Sequence, residues 1–134
     1  MSARPAPTEP TPKRSARERD RDPKVRNADE TRTFEHGSFE LVTIGGVTIG
    51  RASYEPGWIW SEHVGKPVGE ALCQVEHVGL VVSGRAAVNM ADGTEGLLTP
   101  GDLFAIAPGH DSWVVGDEPY VSLHLFGASE YAKH

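Results

Sequence analysis

The chain has 134 residues, of which 38% are hydrophobic and 24% are charged, and this is the size and composition of one ordinary globular domain. Its one cysteine, Cys73, excludes an intramolecular disulfide and favours a reducing compartment, so we expect a cytoplasmic protein. No stretch approaches the roughly 18 apolar residues of a membrane-spanning helix, and the charged N-terminus lacks the apolar segment of a signal peptide. We therefore expect a soluble protein without a membrane partner.

The net charge of −6 is unevenly distributed along the chain. Residues 1–33 contain nine Lys and Arg against six acids, whereas residues 34–134 contain four against thirteen, so the two parts carry +3 and −9. An acidic folded part argues against nucleic acid as a partner, because phosphate recognition needs clustered Lys and Arg. Residues 1–33 also hold five of the ten prolines and almost no apolar side chains, which predicts a disordered charged tail.

Residues 34–134 have the pattern of a single β domain. Short runs of Val, Ile, Leu and Thr alternate with Gly, Pro and Asp, which is typical of a barrel or sandwich of many short strands, and no long helix is predicted. The run 78–82 is apolar on both faces, so we expect a second subunit to cover it in a homodimer. The predicted strands are residues 39–44, 47–54, 74–82, 86–90, 95–98, 103–106, 112–115 and 121–126.

Two glycine-framed segments contain the histidines of interest. Gly57 is followed, after five residues, by His63, and Gly84 is preceded, after six residues, by His77. A second segment runs from Gly101 to Ser112 as GDLFAIAPGHDS, with His110 two residues before Ser112. Together with the phrases PGWIWSEHV, EHVGLVVSGR and FGASEYAK, these segments resemble the two motifs of the cupin superfamily, from Val42 to Lys133.

The resemblance implies an all-β fold, a cupin-type double-stranded β-helix (jelly-roll) barrel. It also implies that His63 is the first metal-binding histidine and that His77 stands at the family's glutamate position. Gly65 occupies the second histidine position and cannot bind a metal. Ser112 occupies the last one, and His110 shares its face because residues two apart in a strand point the same way.

The residues themselves also favour a metal site. His63, His77 and His110 lie on three separate segments, and neutral imidazoles are good ligands for zinc, iron, nickel, copper or manganese. Three such ligands leave a position open for water or substrate, so we predict a divalent transition metal as the cofactor. The predicted surroundings of this site are a pocket or second layer formed by His124, Trp58, Trp60, Tyr120 and Ser112.

Two classes of function follow from this sequence. The first is a metal-dependent enzyme that acts on a small organic molecule. The second is a non-catalytic binding or sensory module in which the barrel holds a small ligand. The catalytic residues stay open, because a fold alone does not establish a reaction.

Overall fold

The computed structural model describes residues 28–126 and 128–131. Within them, nine strands form two antiparallel sheets, one with the order β1-β2-β3-β9-β4-β7 and one with the order β6-β5-β8. The strands are β1 (Glu30–Phe34), β2 (Gly37–Ile44), β3 (Val47–Tyr54), β4 (His77–Ser83), β5 (Arg85–Met90), β6 (Glu95–Leu98), β7 (Leu103–Ile106), β8 (His110–Val115) and β9 (Tyr120–Phe126). The all-β prediction is confirmed.

The predicted strand ranges agree with the structure where turn residues mark both ends. The hairpin of β2 and β3 turns at Gly45 and Gly46, both with positive φ, and β3 has the predicted bounds. The bounds of β6 and β7 were also predicted correctly, whereas β4 begins three residues later than expected.

The first strand, β1, was not predicted, and it corrects the boundary of the proposed tail. The tail was expected to reach residue 33, but β1 starts at Glu30 and pairs with β2. Its inward residue is Arg32, which is buried and donates hydrogen bonds to the backbone oxygen of Tyr131 and to the Glu30 carboxylate. A strand is recognised in a sequence by apolar side chains at its buried positions, and in β1 the buried position is occupied by Arg32. Residues 1–27, the remainder of that expectation, lie outside the described residues.

A helical segment interrupts the strands between β3 and β4. It consists of the π-helical turn Ser61–Gly65 and the short helix Lys66–Val68. Asp111 fixes its start, because the carboxylate accepts hydrogen bonds from the backbone N–H and the hydroxyl of Ser61. Both oxygens of the Asp111 carboxylate are therefore engaged in hydrogen bonds at the start of this segment, so we do not expect Asp111 to act as a general base.

The two sheets enclose one core. Phe39, Ala52 and Phe104 come from the larger sheet, and Ala86 and Val114 come from the smaller one. The close approach of strands within this core requires a glycine at one position. A Cβ at Gly79 would lie 2.0 Å from the Leu123 oxygen and 2.7 Å from the Phe104 ring, so β4 and β9 could not pair as they do with a larger residue there.

Candidate metal centre

Three buried imidazoles converge inside the barrel. His77 begins β4, His110 begins β8 and His124 lies in β9, and their exposed fractions are 3%, 3% and 6%. The ring centroids of His77 and His110 are 5.2 Å apart, and those of His77 and His124 are 5.0 Å apart. Strand alternation explains the convergence, since each of these residues occupies an inward position of its strand.

Cys73 joins this cluster through the backbone. Its N–H donates to the His110 oxygen at 2.7 Å, and its own oxygen accepts from the Gly109 N–H at 2.7 Å. This bridge brings the buried thiol beside β8, where Cys73 Sγ lies 3.4 Å from His77 Nε2. One ligand atom from each of Cys73, His77 and His110 lies within 4.8 Å of the others, so these three residues form a group that could hold a metal ion.

The hydrogen bonds assign the tautomer of His110. Its Nδ1 lies 2.7 Å from the Ala107 carbonyl oxygen, which can only accept a hydrogen bond. The ring proton is therefore on Nδ1, and Nε2 keeps its lone pair. A metal-binding histidine is typically held in this way, with one nitrogen donating to a carbonyl and the other facing the ion.

His77 has the same arrangement through a longer chain. Its Nδ1 lies 3.3 Å from His124 Nδ1, and His124 Nε2 lies 3.1 Å from the Ser122 hydroxyl. If the Cys73 thiol donates to His77 Nε2, then His77 Nδ1–H donates to His124 and His124 Nε2–H donates to Ser122. Every polar group in this chain is satisfied, and His124 orients the ring of His77.

Burial keeps all three imidazoles neutral. Desolvation, with added repulsion from His124 and His110, lowers the pKa of His77 to about 2. Desolvation also lowers the pKa of His124 to about 4. It lowers the pKa of His110 as well, although the hydrogen bond to Ala107 acts in the opposite direction. Burial raises the pKa of the Cys73 thiol to about 11. At neutral pH the cluster is uncharged without a metal.

The structure does not bring His63 to this cluster. His63 lies in the helical turn, where its Nδ1 accepts a hydrogen bond from the Ile59 N–H at 3.0 Å. Its Nε2 faces the Glu35 carboxylate at 3.6 Å, and its ring contacts that of His36. The motif spacing that singled out His63 presupposes a strand at this point, whereas the chain forms a helical turn that directs the ring toward the β1–β2 turn.

The histidine cluster lines a small cavity of about 30 Å³. Among the described residues that line it, none has a charged carboxylate, ammonium or guanidinium group. The predicted pocket residues Ser112 and Tyr120 both line this cavity, as do Trp58 and Trp60. The aromatic walls are formed by Tyr54, Trp58, Trp60, Phe104, Tyr120 and Tyr131.

Cys73 is the member of the cluster that the sequence did not reveal as a metal ligand. The sequence marked it only as the single cysteine, and in the structure its thiol is buried. The spacing of four residues to His77 was the available signal. It carried little weight, because the intervening residues 74–76 are irregular and the bridge to His110 spans a long stretch of sequence.

No protein-family profile matches the sequence, and no curated protein matches it. A cupin-like protein from Thermotoga maritima is similar in structure with a TM-score of 0.52 and 13% identity, over 79% of this chain and 82% of that one. A protein of unknown function from Acinetobacter sp. ADP1 gives 0.54 and 14%, over 73% and 90%.

An oxalate decarboxylase is also similar, with a TM-score of 0.51 and 21% identity over 79% of this chain. The present chain spans only 29% of that enzyme's length. These similarities agree with the two antiparallel sheets of this all-β chain. The chain has the cupin fold, as its sequence motifs predicted. None of the helices in the described part of the chain is long and apolar enough to cross a membrane.

Proposed function

We propose that this protein is a transition-metal-binding cupin whose ion is held by Cys73, His77 and His110 and faces a cavity for a small organic molecule. The observation that supports it most is the convergence of three buried ligand atoms. His110 Nδ1 donates to the Ala107 oxygen, which leaves its Nε2 as a lone-pair donor, and the Cys73 sulfur lies 3.4 Å from His77 Nε2.

One distance in the group matches that between two ligand atoms of a metal site. Typical zinc–sulfur and zinc–nitrogen bonds in a tetrahedral site place the two ligand atoms about 3.5 Å apart. Sγ of Cys73 and Nε2 of His77 are 3.4 Å apart. One sulfur and two imidazole nitrogens favour zinc, copper or iron over manganese, which prefers oxygen ligands. This donor set narrows the range of metals that the sequence allowed.

A bound ion would act as a Lewis acid toward an oxygen atom of a ligand in the cavity. The protein's own contribution is positional. His124 and the Ala107 carbonyl orient the two ligand rings, and aromatic side chains form much of the cavity wall.

The test is metal analysis of protein purified without a histidine tag or chelator. We expect close to one zinc, copper or iron per chain, and we expect His110→Ala to abolish it. His63→Ala is the matched control, since His63 lies outside the cluster, with its ring beside Glu35 and His36. Loss of metal in His63→Ala with retention in His110→Ala would restore the ligand set that the motif spacing predicted and refute this one.

The cavity also supports a second candidate, the non-catalytic binding module. Its lining residues offer no carboxylate or ammonium group for acid–base chemistry, and burial keeps its histidines neutral. Without a metal, such a cavity binds a small ligand and does little chemistry on it. Metal-free protein that binds a small organic molecule tightly would favour this candidate.

The partner that we propose for the outer surface is a second copy of the chain. Leu80 of β4 pairs with Leu103 of β7 and with Leu123 of β9, which makes one continuous apolar face. Leu103 is 79% exposed and Val82 is 50% exposed, an unusual arrangement for neighbouring strands in an isolated domain. A homodimer would cover this face. The buried single thiol fits a cytoplasmic location for the dimer.

A further inference from the structure

The cavity beside the histidine cluster is too small for an organic molecule while its wall is closed. Its volume of about 30 Å³ leaves room for about two water molecules. Sites for small organic ligands typically measure roughly 300–1,000 Å³. An organic ligand can therefore enter only when part of the wall moves, and the wall residue that is easiest to displace marks where the ligand binds.

Tyr131 differs from most of the wall because it belongs to no strand. It directly follows the 3₁₀ turn Ala128–Glu130, which is part of neither sheet. The other lining residues lie in strands, apart from two tryptophans that flank Ile59, whose backbone forms a bridge with Trp113 of β8. Tyr131 is thus the part of the wall that can leave without breaking a sheet.

Two hydrogen bonds hold Tyr131 in the wall. Arg32 of β1 donates to its backbone oxygen, and the Tyr54 hydroxyl donates to its hydroxyl at 2.7 Å. Gly50 of β3 makes room for the turn, since a Cβ there would lie 3.1 Å from the Cβ of Ala128. Neither hydrogen bond belongs to the ladder of a sheet, so both can break while the strands of the barrel stay paired.

The ring of Tyr131 lies where a ligand of the histidine cluster would lie. Its centroid is 4.9 Å from that of His77, edge to face, and 5.8 Å from that of His124, with the planes 22° apart. The Tyr54 hydroxyl keeps its position when Tyr131 leaves, because the Tyr54 ring is stacked on Trp58 with centroids 3.8 Å apart. The vacated place therefore suits a flat ring with a hydroxyl group.

The groups around this place favour a neutral ligand. None of the described residues that line the cavity has a carboxylate, ammonium or guanidinium group. Burial raises the pKa of Tyr54, so its hydroxyl stays protonated at neutral pH and can donate. Building on the cavity of the proposed function, we propose that Tyr131 is a displaceable stopper and that the open cavity binds a small phenol in place of the tyrosine side chain.

The primary test is a titration of the wild-type protein with p-cresol, the free counterpart of a tyrosine side chain. The chain has three tyrosines, so ring ¹³C labels give three NMR signals, each assigned with one Tyr→Phe variant. We expect p-cresol to move the Tyr131 signal to the position of a solvent-exposed tyrosine. Toluene lacks the hydroxyl, leaves Tyr54 without a partner and should bind about tenfold more weakly. A Tyr131 signal that p-cresol does not move would overturn the proposal.

A second measurement uses a variant that should bind the ligand more tightly although it is less stable. Arg32→Ala removes the hydrogen bond to the Tyr131 oxygen, so the open state becomes more populated and calorimetry should show about tenfold tighter p-cresol binding. Arg51→Ala breaks a surface ion pair and is the matched control, with unchanged affinity. If Arg32→Ala does not fold, Tyr131→Phe replaces it, since it removes the hydroxyl that Tyr54 holds. Unchanged or weaker binding in the variant that folds would overturn the proposal.

Titrations with and without zinc separate this proposal from the metal site. If p-cresol moves the Tyr131 signal in a protein that binds no zinc, the metal site fails and the stopper stands. If zinc binds and p-cresol moves no tyrosine signal, the metal site stands and the stopper is refuted. Binding of p-cresol to Tyr131→Ala but not to the wild type would show that Tyr131 is an ordinary core residue.

Discussion

The sulfur of Cys73, the single cysteine of the chain, lies 3.4 Å from Nε2 of His77. If both atoms bind one metal ion, substitutions should act in a graded way. Cys73→Ser removes a ligand, and we expect zinc affinity to fall by more than about 100-fold. His124→Gln removes only the group that orients His77, and such changes typically cost about 10- to 100-fold.

Competition with a coloured chelator measures both affinities. Cobalt(II) provides an independent signature, because a thiolate ligand produces an intense near-ultraviolet band that Cys73→Ser should lack. An unchanged cobalt spectrum in Cys73→Ser would exclude sulfur from the site.

Metal binding should release a proton from the thiol. Burial raises the pKa of Cys73 to about 11, so the group is fully protonated at pH 7 without a metal, whereas a metal-bound thiol is deprotonated. We expect release of about one proton per zinc ion. Calorimetric titrations in buffers of different ionisation enthalpy measure this number, and Cys73→Ser should reduce it to near zero.

The metal-free protein should lose stability as pH falls below about 6.5. The pKa values of His77 and His124 are lowered to about 2 and about 4, so the unfolded chain binds protons in this range while the folded chain does not. Each histidine contributes a slope of up to about 1.4 kcal/mol per pH unit. Urea unfolding between pH 7 and pH 5.5 tests this, and His77→Gln should flatten the curve. A pH-independent free energy of unfolding in the wild type would contradict the burial of these rings.

The buried arginine of β1 should matter far more than an exposed one. Arg32→Ala removes the donor to the Tyr131 carbonyl, and we expect a loss of about 2 kcal/mol in the free energy of unfolding. Arg51→Ala breaks the Glu40 ion pair on the surface and should cost under about 1 kcal/mol. Chemical denaturation compares the two. Equal effects would show that β1 adds nothing to the barrel.

The apolar outer face predicts the oligomeric state. Leu103→Glu places a charge on that face, at its most exposed leucine, and should convert a dimer to a monomer, because burying an unpaired carboxylate is strongly unfavourable. Leu97→Glu is the control, since Leu97 is 53% exposed on β6 of the other sheet. Light scattering coupled to size exclusion gives the masses. A monomeric wild type would refute the dimer directly.

The sequence predicted the fold better than the site. The hairpin at Gly45 and Gly46 and the strands flanked by turn glycines follow from local chemistry, so their positions could be read directly. β1 was missed because its inward residue is Arg32, and only the distant Tyr131 carbonyl makes that burial possible. Long-range pairing of this kind leaves no trace in a local pattern.

The site was harder to predict for the same reason. His77 and His110 fall together because β4 and β8 belong to sheets that face each other, which the motif order implied. His63 was expected with them from its spacing to Gly57, but a helical turn replaces the strand there. Cys73 enters through a backbone bridge to His110 that spans 37 residues, and no spacing rule anticipates it.

The hydrogen bonds that link Cys73 through His77 and His124 to Ser122 must all run in the same donor-to-acceptor order, because each neutral imidazole donates through one nitrogen and accepts through the other. If the thiol donates to His77 Nε2, or gives its proton up to a metal that binds there, both rings hold their hydrogens on the side away from the sulfur. A bare thiolate would instead draw a hydrogen from His77 Nε2, and every later link would have to reverse. Ionisation of the Cys73 sulfur without a metal would therefore move the ring proton to the other nitrogen in both His77 and His124. The ¹⁵N chemical shifts of the His124 ring would report the ionisation of Cys73, although the two side chains are linked only through His77.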